Sequence, residues 1–285
     1  MFGFLNVYKP KGKTSHDVVG ILRRVTKIKQ IGHTGTLDPF AEGVLPICIG
    51  KATRLIEYLK DDKAYIGTVQ LGKSTTTYDI EGEMVNESDK VVTKEEIEQA
   101  LEKFRGNIKQ LPPVYSAIKV KGKKLYEYAR NGENVKIEPR RVNISELKIL
   151  NYDEEKRHLE LYISCSKGTY IRSIANDLGE KLGTYGHLIK LIRVQAGDFG
   201  INEAIRLEDL ETIEQVENNL IPPMKYLNYP AYELTDEEFE KVSHGNTINA
   251  KKSISDGIII LTKDGQLSAV AKNTNGIIKC EKVFI

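Results

Sequence analysis

The stretch Gly32-His33-Thr34-Gly35-Thr36-Leu37-Asp38-Pro39-Phe40-Ala41-Glu42-Gly43 constrains this chain more than any other part of it. Glycines and a proline at this density describe a sharply shaped loop, which uses backbone angles closed to other residues and holds polar side chains in fixed directions. Asp38 sits between Leu37 and Pro39. A carboxylate flanked in this way is presented by a stiff turn and partly desolvated, which suits a nucleophile or a base better than a solvated surface charge. Taken alone, Leu37-Asp38-Pro39 also reads as a turn-stabilising aspartate before proline.

At 285 residues and 40% hydrophobic content, the chain can build one substantial domain and a small second one. It carries no 18-residue apolar run and no charged-then-apolar leader, so a soluble, unsecreted, cytoplasmic protein without membrane contact is expected. Cys48, Cys165 and Cys280 are odd in number and lack the paired spacing of a zinc site or a disulfide framework, in keeping with a reducing cytosol. The net charge of +2 is unevenly spread. Residues 1–60 hold 10 Lys or Arg against 4 acids, residues 119–141 hold 8 against 3, and residues 202–240 hold 11 acids against 2 bases. Two basic regions gathered for a polyanion, a nucleic acid above all, would explain this, although lysine-rich faces also occur as plain solvated surface.

The hydrophobic patterning mixes both periods, without internal repeats. Residues 4–8 read as a strand, and Ser15 as the cap of a helix whose Val18, Ile21, Leu22, Val25 and Ile28 share a face. Val44–Ile49 and residues 64–71 read as strands, and residues 93–105 as a helix opened by a Thr93/Glu96 capping box. Leu159, Leu161, Ile163 and Cys165 alternate with polar residues in a strand that runs through Lys167-Gly168-Thr169-Tyr170-Ile171-Arg172 into a helix carrying Ile174, Ala175, Leu178 and Leu182. Pro222, Pro223 and Pro230 follow an acidic segment and suggest a boundary near residue 228, leaving a strand-rich end of residues 229–285.

Several chemistries drop out. Gly50-Lys51 resembles the end of a phosphate loop, but Leu45 stands where its first glycine belongs and Ala52 where Ser or Thr should ligate magnesium. There is no dinucleotide fingerprint, paired-histidine metal helix or Gly-x-Ser-x-Gly elbow, and His33 with Asp38 lacks a third ligand nearby in sequence, so no metal is expected. What is left for chemistry is an acid, an arginine, tyrosines and a histidine.

Those residues carry a family resemblance. Gly32 to Pro39, continued by Ala41, Gly43, Leu45, Pro46, Gly50 and Ala52-Thr53-Arg54, resembles the catalytic motif of the TruB family of tRNA pseudouridine synthases. Lys9-Pro10-Lys11-Gly12 with Thr14-Ser15, Pro112-Pro113 with Tyr115-Ser116-Ala117 and Lys119, and Gly168-Thr169-Tyr170-Ile171-Arg172 match it in the same order. The resemblance implies an α+β pseudouridine synthase fold, with a mixed, mostly antiparallel central sheet over residues 1–228 and an RNA-gripping insertion at about 111–141. Residues 229–285 resemble a small PUA-like RNA-binding domain. The implied reaction is isomerisation of uridine 55 in the T-loop of tRNA to pseudouridine, without a cofactor.

Under that resemblance Asp38 matches the nucleophile, and Arg172 is its counter-ion, since a buried lone carboxylate is costly; bidentate pairing would fix the carboxylate's direction. Tyr65 matches an active-site tyrosine that stacks on the uracil and is the candidate acceptor of the C5 proton, although an unassisted phenol with a pKa near about 10 is a poor base. Tyr170 and Leu191 match further pocket residues. His33 is assigned to support the flipped-out base, with loop-backbone hydrogen bonding as its plainer alternative. Lys9, Lys11, Lys119, Lys121, Lys123 and Lys124 are expected to meet phosphates. The tRNA T-arm is the implied partner, with no obligatory protein partner and a monomeric chain. A non-catalytic RNA binder would not need Asp38, Tyr65 and Arg172 together, and the guide-RNA relatives lack the insertion.

Overall fold

A computed structural model describes residues 1–116, 118–133 and 135–285; Ala117 of the proline-rich motif and Asn134 lie outside the described residues. The chain opens with β1 (Gly3–Lys9), α1 (Ser15–Thr26), the short β2 (Ile31–His33) and β3 (Glu42–Ile49). Thr14, not Ser15, caps α1: its hydroxyl accepts from the Asp17 N–H at 3.0 Å while the Asp17 carboxylate accepts from the Thr14 N–H at 2.7 Å. The reciprocal pair needs an acid three residues on, which Thr14 has and Ser15 does not. Val18, Val19 and Leu22 are buried, and Ile21, Val25 and Ile28 pack half-buried against the same cluster.

Next come β4 (Lys63–Leu71), a ribbon of β5 (Lys73–Thr75) and β6 (Met84–Glu87), and α2 (Lys94–Leu101), which has the expected Thr93/Glu96 box. β7 (Gly106–Gln110) is followed by the hairpin of β8 (Lys119–Val120) with β9 (Lys123–Lys124) and the short α3 (Leu125–Arg130). β10 (Arg140–Asp153) and β11 (His158–Cys165) form a long antiparallel pair, followed by α4 (Ile171–Leu182), β12 (Gly186–Ala196), β13 (Phe199–Gly200) and β14 (Ile205–Arg206). The main sheet runs β14-β1-β3-β12-β4-β11-β10-β7, with β2 on β3 and β13 on β12. Its pairs are antiparallel apart from β1 with β14 and β3 with β12. This is the mixed, mostly antiparallel sheet expected of the chain. The parallel seam between β3 and β12 brings the end of the Gly32–Gly43 loop against Arg193.

After α5 (Ile213–Asn218), β15 (Ala231–Glu233), α6 (Asp236–Ser243), β16 (Ile248–Asn249), β17 (Gly257–Lys263), β18 (Gln266–Thr274) and β19 (Ile277–Val283) build a separate sheet in the order β15-β17-β18-β19-β16. Successive residues of a strand face opposite sides, so Ile259 and Leu261 enter the small core with Tyr232 and Val242, while Ile260 points the other way. Ile260, Val270 and Phe284 pack on Phe4, Leu55 and Tyr58 of the larger part. Lys51 Nζ donates to Phe284 O at 3.0 Å, and Tyr58 Oη donates to Glu281 Oε2 at 2.8 Å. Among the described residues no helix is long and apolar enough to cross a membrane.

Candidate active site

The loop between β2 and β3 is held by its backbone at nearly every residue. Because Thr14 does the capping, the buried Ser15 hydroxyl is free to clasp Leu37: it accepts from Leu37 N at 2.9 Å and donates to Leu37 O at 3.2 Å. Gly12 N donates to Pro39 O at 2.8 Å, Thr34 N to Pro46 O at 3.1 Å and Ala41 N to Asp38 O at 3.1 Å. Arg193, fully buried, donates from Nε to Val44 O at 2.6 Å, from Nη1 to Thr36 O at 3.3 Å and from Nη2 to Gly35 O at 3.2 Å. Gly43 closes the loop with φ of 107°, and a Cβ there would lie 2.3 Å from Arg193 O. Backbone cannot retreat from such a clash as a flexible side chain can. Gly43→Ala should therefore destabilise the fold by about 2–5 kcal/mol, the sum of backbone strain and overpacking, read as a fall in the denaturation midpoint.

Asp38 stands half-buried on this mount, with its side chain 34% exposed. Arg172, at the start of α4, brings Nε to 2.9 Å from Asp38 Oδ2, an ion pair in which the N–H is not aligned on the oxygen. The pairing is not bidentate as expected, because the rest of the guanidinium is committed elsewhere. Nη1 lies 3.2 Å from Asp79 Oδ2 and donates to Thr77 O at 3.2 Å; Nη2 donates to Tyr115 O at 3.1 Å. Burial pushes the Asp38 carboxyl above the ordinary range, Arg172 pulls it back, and Asp79 adds a push upward.

Asp79 was not singled out in the sequence. Its Oδ1 accepts from Thr77 Oγ1 at 2.5 Å and from Glu81 N at 3.0 Å, and it is 3% exposed. A signal existed, since Asp79 lies between Tyr78 and Ile80 much as Asp38 lies between Leu37 and Pro39. Arg193 was likewise missed. It stands two residues from Leu191 on a strand, hence on the same inward face, and an arginine in that phase is already unusual.

Tyr65 and Leu191 are buried in one cluster with Leu37, Phe40 and Ile171. Leu191 pairs across the ladder with Gly67, where a Cβ would crowd Leu188 at 3.2 Å and touch Leu191 at 3.6 Å. Burial pushes the Tyr65 phenol up, as do Cys165 and Asp38, against an opposing pull from Arg193. Tyr170 is half-buried at the start of α4, its backbone clamped by Gln110: Tyr170 N donates to Oε1 at 2.8 Å and Nε2 donates to Tyr170 O at 2.9 Å. Burial raises the Tyr170 phenol too, and Asp38 adds to it. Asp38 is thus paired with Arg172 and bears on the Tyr65 and Tyr170 phenols, while Leu191 and Tyr65 share the buried cluster that holds Leu37.

His33 stands on β2 with its ring 5.5 Å from that of His16, edge to face. Its Nδ1 is buried without a hydrogen-bond partner among the described residues, so the ring is not tied to the loop backbone through that atom. Burial, with help from His16 and Arg193, lowers its pKa to about 4 and keeps the imidazole neutral near pH 7. The lysines divide. Lys11, Lys119 and Lys121 are exposed, whereas Lys123 pairs with Glu133 at 2.6 Å and lies over the Tyr128 ring, and Lys124 lies over Tyr126. Lys9 corrects its expected role: it is 0% exposed, and Nζ donates to Pro10 O, Lys13 O and Pro39 O, so it braces the loop instead of offering a surface charge. Among the described residues no group of three or more His, Cys, Asp or Glu could hold a metal ion.

A family model described as TruB family pseudouridylate synthase (N terminal domain) matches residues 23–171, and one described as tRNA pseudouridylate synthase B C-terminal domain matches residues 172–227. A relative from Caldanaerobacter subterraneus subsp. tengcongensis, called tRNA pseudouridine synthase B, is 45% identical over 258 residues, 88% of this chain and 89% of its own length. Another of that name from Staphylococcus aureus is 41% identical over 99% of both chains. Among solved structures, a Cbf5-Nop10-Gar1 complex contains a chain that superposes with a TM-score of 0.73 at 27% identity, covering 100% of this chain and 85% of that one. With the Asp38 loop, the Arg172 junction and the sheet between them all accounted for by one lineage, the chain belongs to the TruB family of pseudouridylate synthases.

Proposed function

We propose that this chain isomerises uridine 55 in the T-loop of tRNA to pseudouridine, with Asp38 as nucleophile and no cofactor. As a TruB-family pseudouridine synthase it is an isomerase acting on tRNA uridine; the position and the residue roles are our reading. The observation that carries it is the half-buried Asp38 carboxylate, fixed by a braced loop and ion-paired at 2.9 Å to an arginine that is itself held by Asp79.

The reaction breaks the bond from C1′ to N1 and forms one from C1′ to C5. Asp38 must be ionised to attack, whether at C1′ or at C6, and Arg172 keeps the charged form accessible in a partly dry site. Tyr65 stacks on the uracil and takes the C5 proton, while Tyr170 and Leu191 wall in the detached base. His33 supports the extruded nucleotide; a neutral planar ring suits a stacking surface better than a charged one. Residues 1–228 form the catalytic domain and residues 229–285 a PUA-like RNA-binding domain. The enzyme works in the cytoplasm as a monomer, without an obligatory protein partner.

Release of tritium from tRNA labelled at C5 of uridine tests the function directly, and a protein that binds such tRNA but releases none overturns it. The insertion should contribute phosphate contacts. Neutralising Lys121, Lys123 and Lys124 is expected to weaken tRNA binding and to flatten the dependence of log affinity on log salt by roughly 0.7–0.9 for each lysine that meets a phosphate. With Lys123 already paired to Glu133, Lys121 should account for most of the change. An unaltered slope would remove the insertion from the interface.

A further inference from the structure

Arg193 heads the fully buried side chains in size, and it is a cation. Three carbonyl oxygens, of Gly35, Thr36 and Val44, accept from its guanidinium, and among the described residues no carboxylate lies within ion-pairing reach of it. Carbonyls solvate a charge without neutralising it, so the burial remains expensive. A neutral donor could tie down the same loop. The retained charge calls for an anion that exists during the reaction and not in the resting protein.

The sheet register supplies the partner. Arg193 on β12 and Tyr65 on β4 are directly opposed across an antiparallel ladder, so their side chains leave the sheet on the same face and meet. The guanidinium acts on the Tyr65 phenol, drawing its pKa down against the rise that burial causes. The other ionisable groups acting on that phenol, Cys165 from β11 and Asp38 from the loop, both oppose its ionisation. Burial holds the Cys165 thiol up at about 11, so it stays neutral near pH 7.

We infer that Arg193 is a positioning residue for proton removal from C5: it aims the Tyr65 oxygen and stabilises the phenolate form that accepts the proton. The inference rests on the proposed role of Tyr65. In the step concerned C5 is already joined to C1′ and still bears its hydrogen. The C5–H bond breaks and the proton passes to Tyr65 Oη; the electron pair forms the C5=C6 double bond, and the C6=N1 pair moves to N1, which takes a proton from water. Tyr65 returns its proton to water, and the product has the atoms of the substrate. An opposite charge at contact shifts a pKa by about 1–3 units, so losing it should cut the phenolate fraction roughly ten- to a thousandfold.

The test uses the full chain and tRNA transcripts carrying hydrogen or deuterium at C5 of uridine, under single-turnover conditions. Arg193→Gln should slow pseudouridine formation roughly tenfold or more and raise the C5 deuterium effect above that of the unsubstituted protein, because proton removal becomes limiting. Arg193→Lys keeps the charge but not the three carbonyl bonds, and should retain most of the rate with the deuterium effect unchanged. It also serves as the readout if the glutamine variant does not fold. No loss in Arg193→Gln, or a loss in either variant with an unchanged deuterium effect, overturns the inference and leaves Arg193 as a loop tether. Tyr65→Phe separates the two readings: full activity there overturns the role of Tyr65 itself, whereas inactivity there beside an unchanged isotope effect in Arg193→Gln overturns the role of Arg193 alone.

Discussion

Asp38→Asn should bind tRNA within a few-fold of the unsubstituted protein and form no pseudouridine above background. The amide matches the carboxylate in shape, so the braces on Leu37, Asp38 and Pro39 are kept; they engage the backbone and do not involve the side chain. Arg172 retains Asp79 as an anion and keeps its carbonyl contacts to Thr77 and Tyr115. What is lost is the carboxylate's charge, and with it the nucleophile and the ion pair to Arg172. Tritium release from C5-labelled tRNA and a filter-binding titration measure the two quantities, and turnover near that of the unsubstituted protein would sink the mechanism. The same carboxyl sets a pH dependence. Its pKa is raised above the ordinary 3.8, chiefly by burial, and the reaction needs the ionised form. The single-turnover rate should therefore fall, as pH drops, at a higher pH than an ordinary aspartate would give.

The sequence was informative where one local signal fixes one local structure. The Thr93/Glu96 box, the alternation from Leu159 to Cys165 and the helical spacing after Ile171 each describe an element that needs no distant partner to be recognised. The cap of α1 was misplaced by a residue because Thr14 and Ser15 carry the same hydroxyl, and the choice between them falls to the acid at Asp17. What the sequence could not reveal was competition for a single side chain. Arg172 was expected to spend both arms on Asp38, but Asp79 and two carbonyls from distant segments share it. Lys9 is expected from the sequence to meet phosphate, and only the fold shows it turned inward on Pro39. Arg193 and Tyr65 are 128 positions apart (193 − 65), and it is the register of β4 against β12 that makes them neighbours. Those pairings depend on tertiary structure, and they decide how the carboxylate and the phenol behave.

Arg172→Met should damage both stability and chemistry, in a pattern that separates the two. The guanidinium is almost buried, with 8% of its side chain exposed, and it faces Asp79 at 4% exposure. Removing one member of such a pair leaves an uncompensated charge in a dry site, at about 3–5 kcal/mol. A drop of that size should appear in the urea midpoint near pH 7. It should shrink as pH falls, for a definite reason: the folded-state pKa of Asp38 is already raised, losing Arg172 raises it further, and a protonated Asp38 no longer needs the cation. The rate should follow the same group, with the acid limb of the single-turnover profile moving toward neutral pH and the plateau above it lowered. Arg172→Lys restores one positive charge but cannot reach Asp38, Asp79 and the carbonyls of Thr77 and Tyr115 together, so it should recover part of the stability and little of the rate. If the acid limb stays in place in both variants while the rate collapses, Arg172 is not the group that sets the Asp38 charge, and its role is confined to holding the segment after β7 through Tyr115.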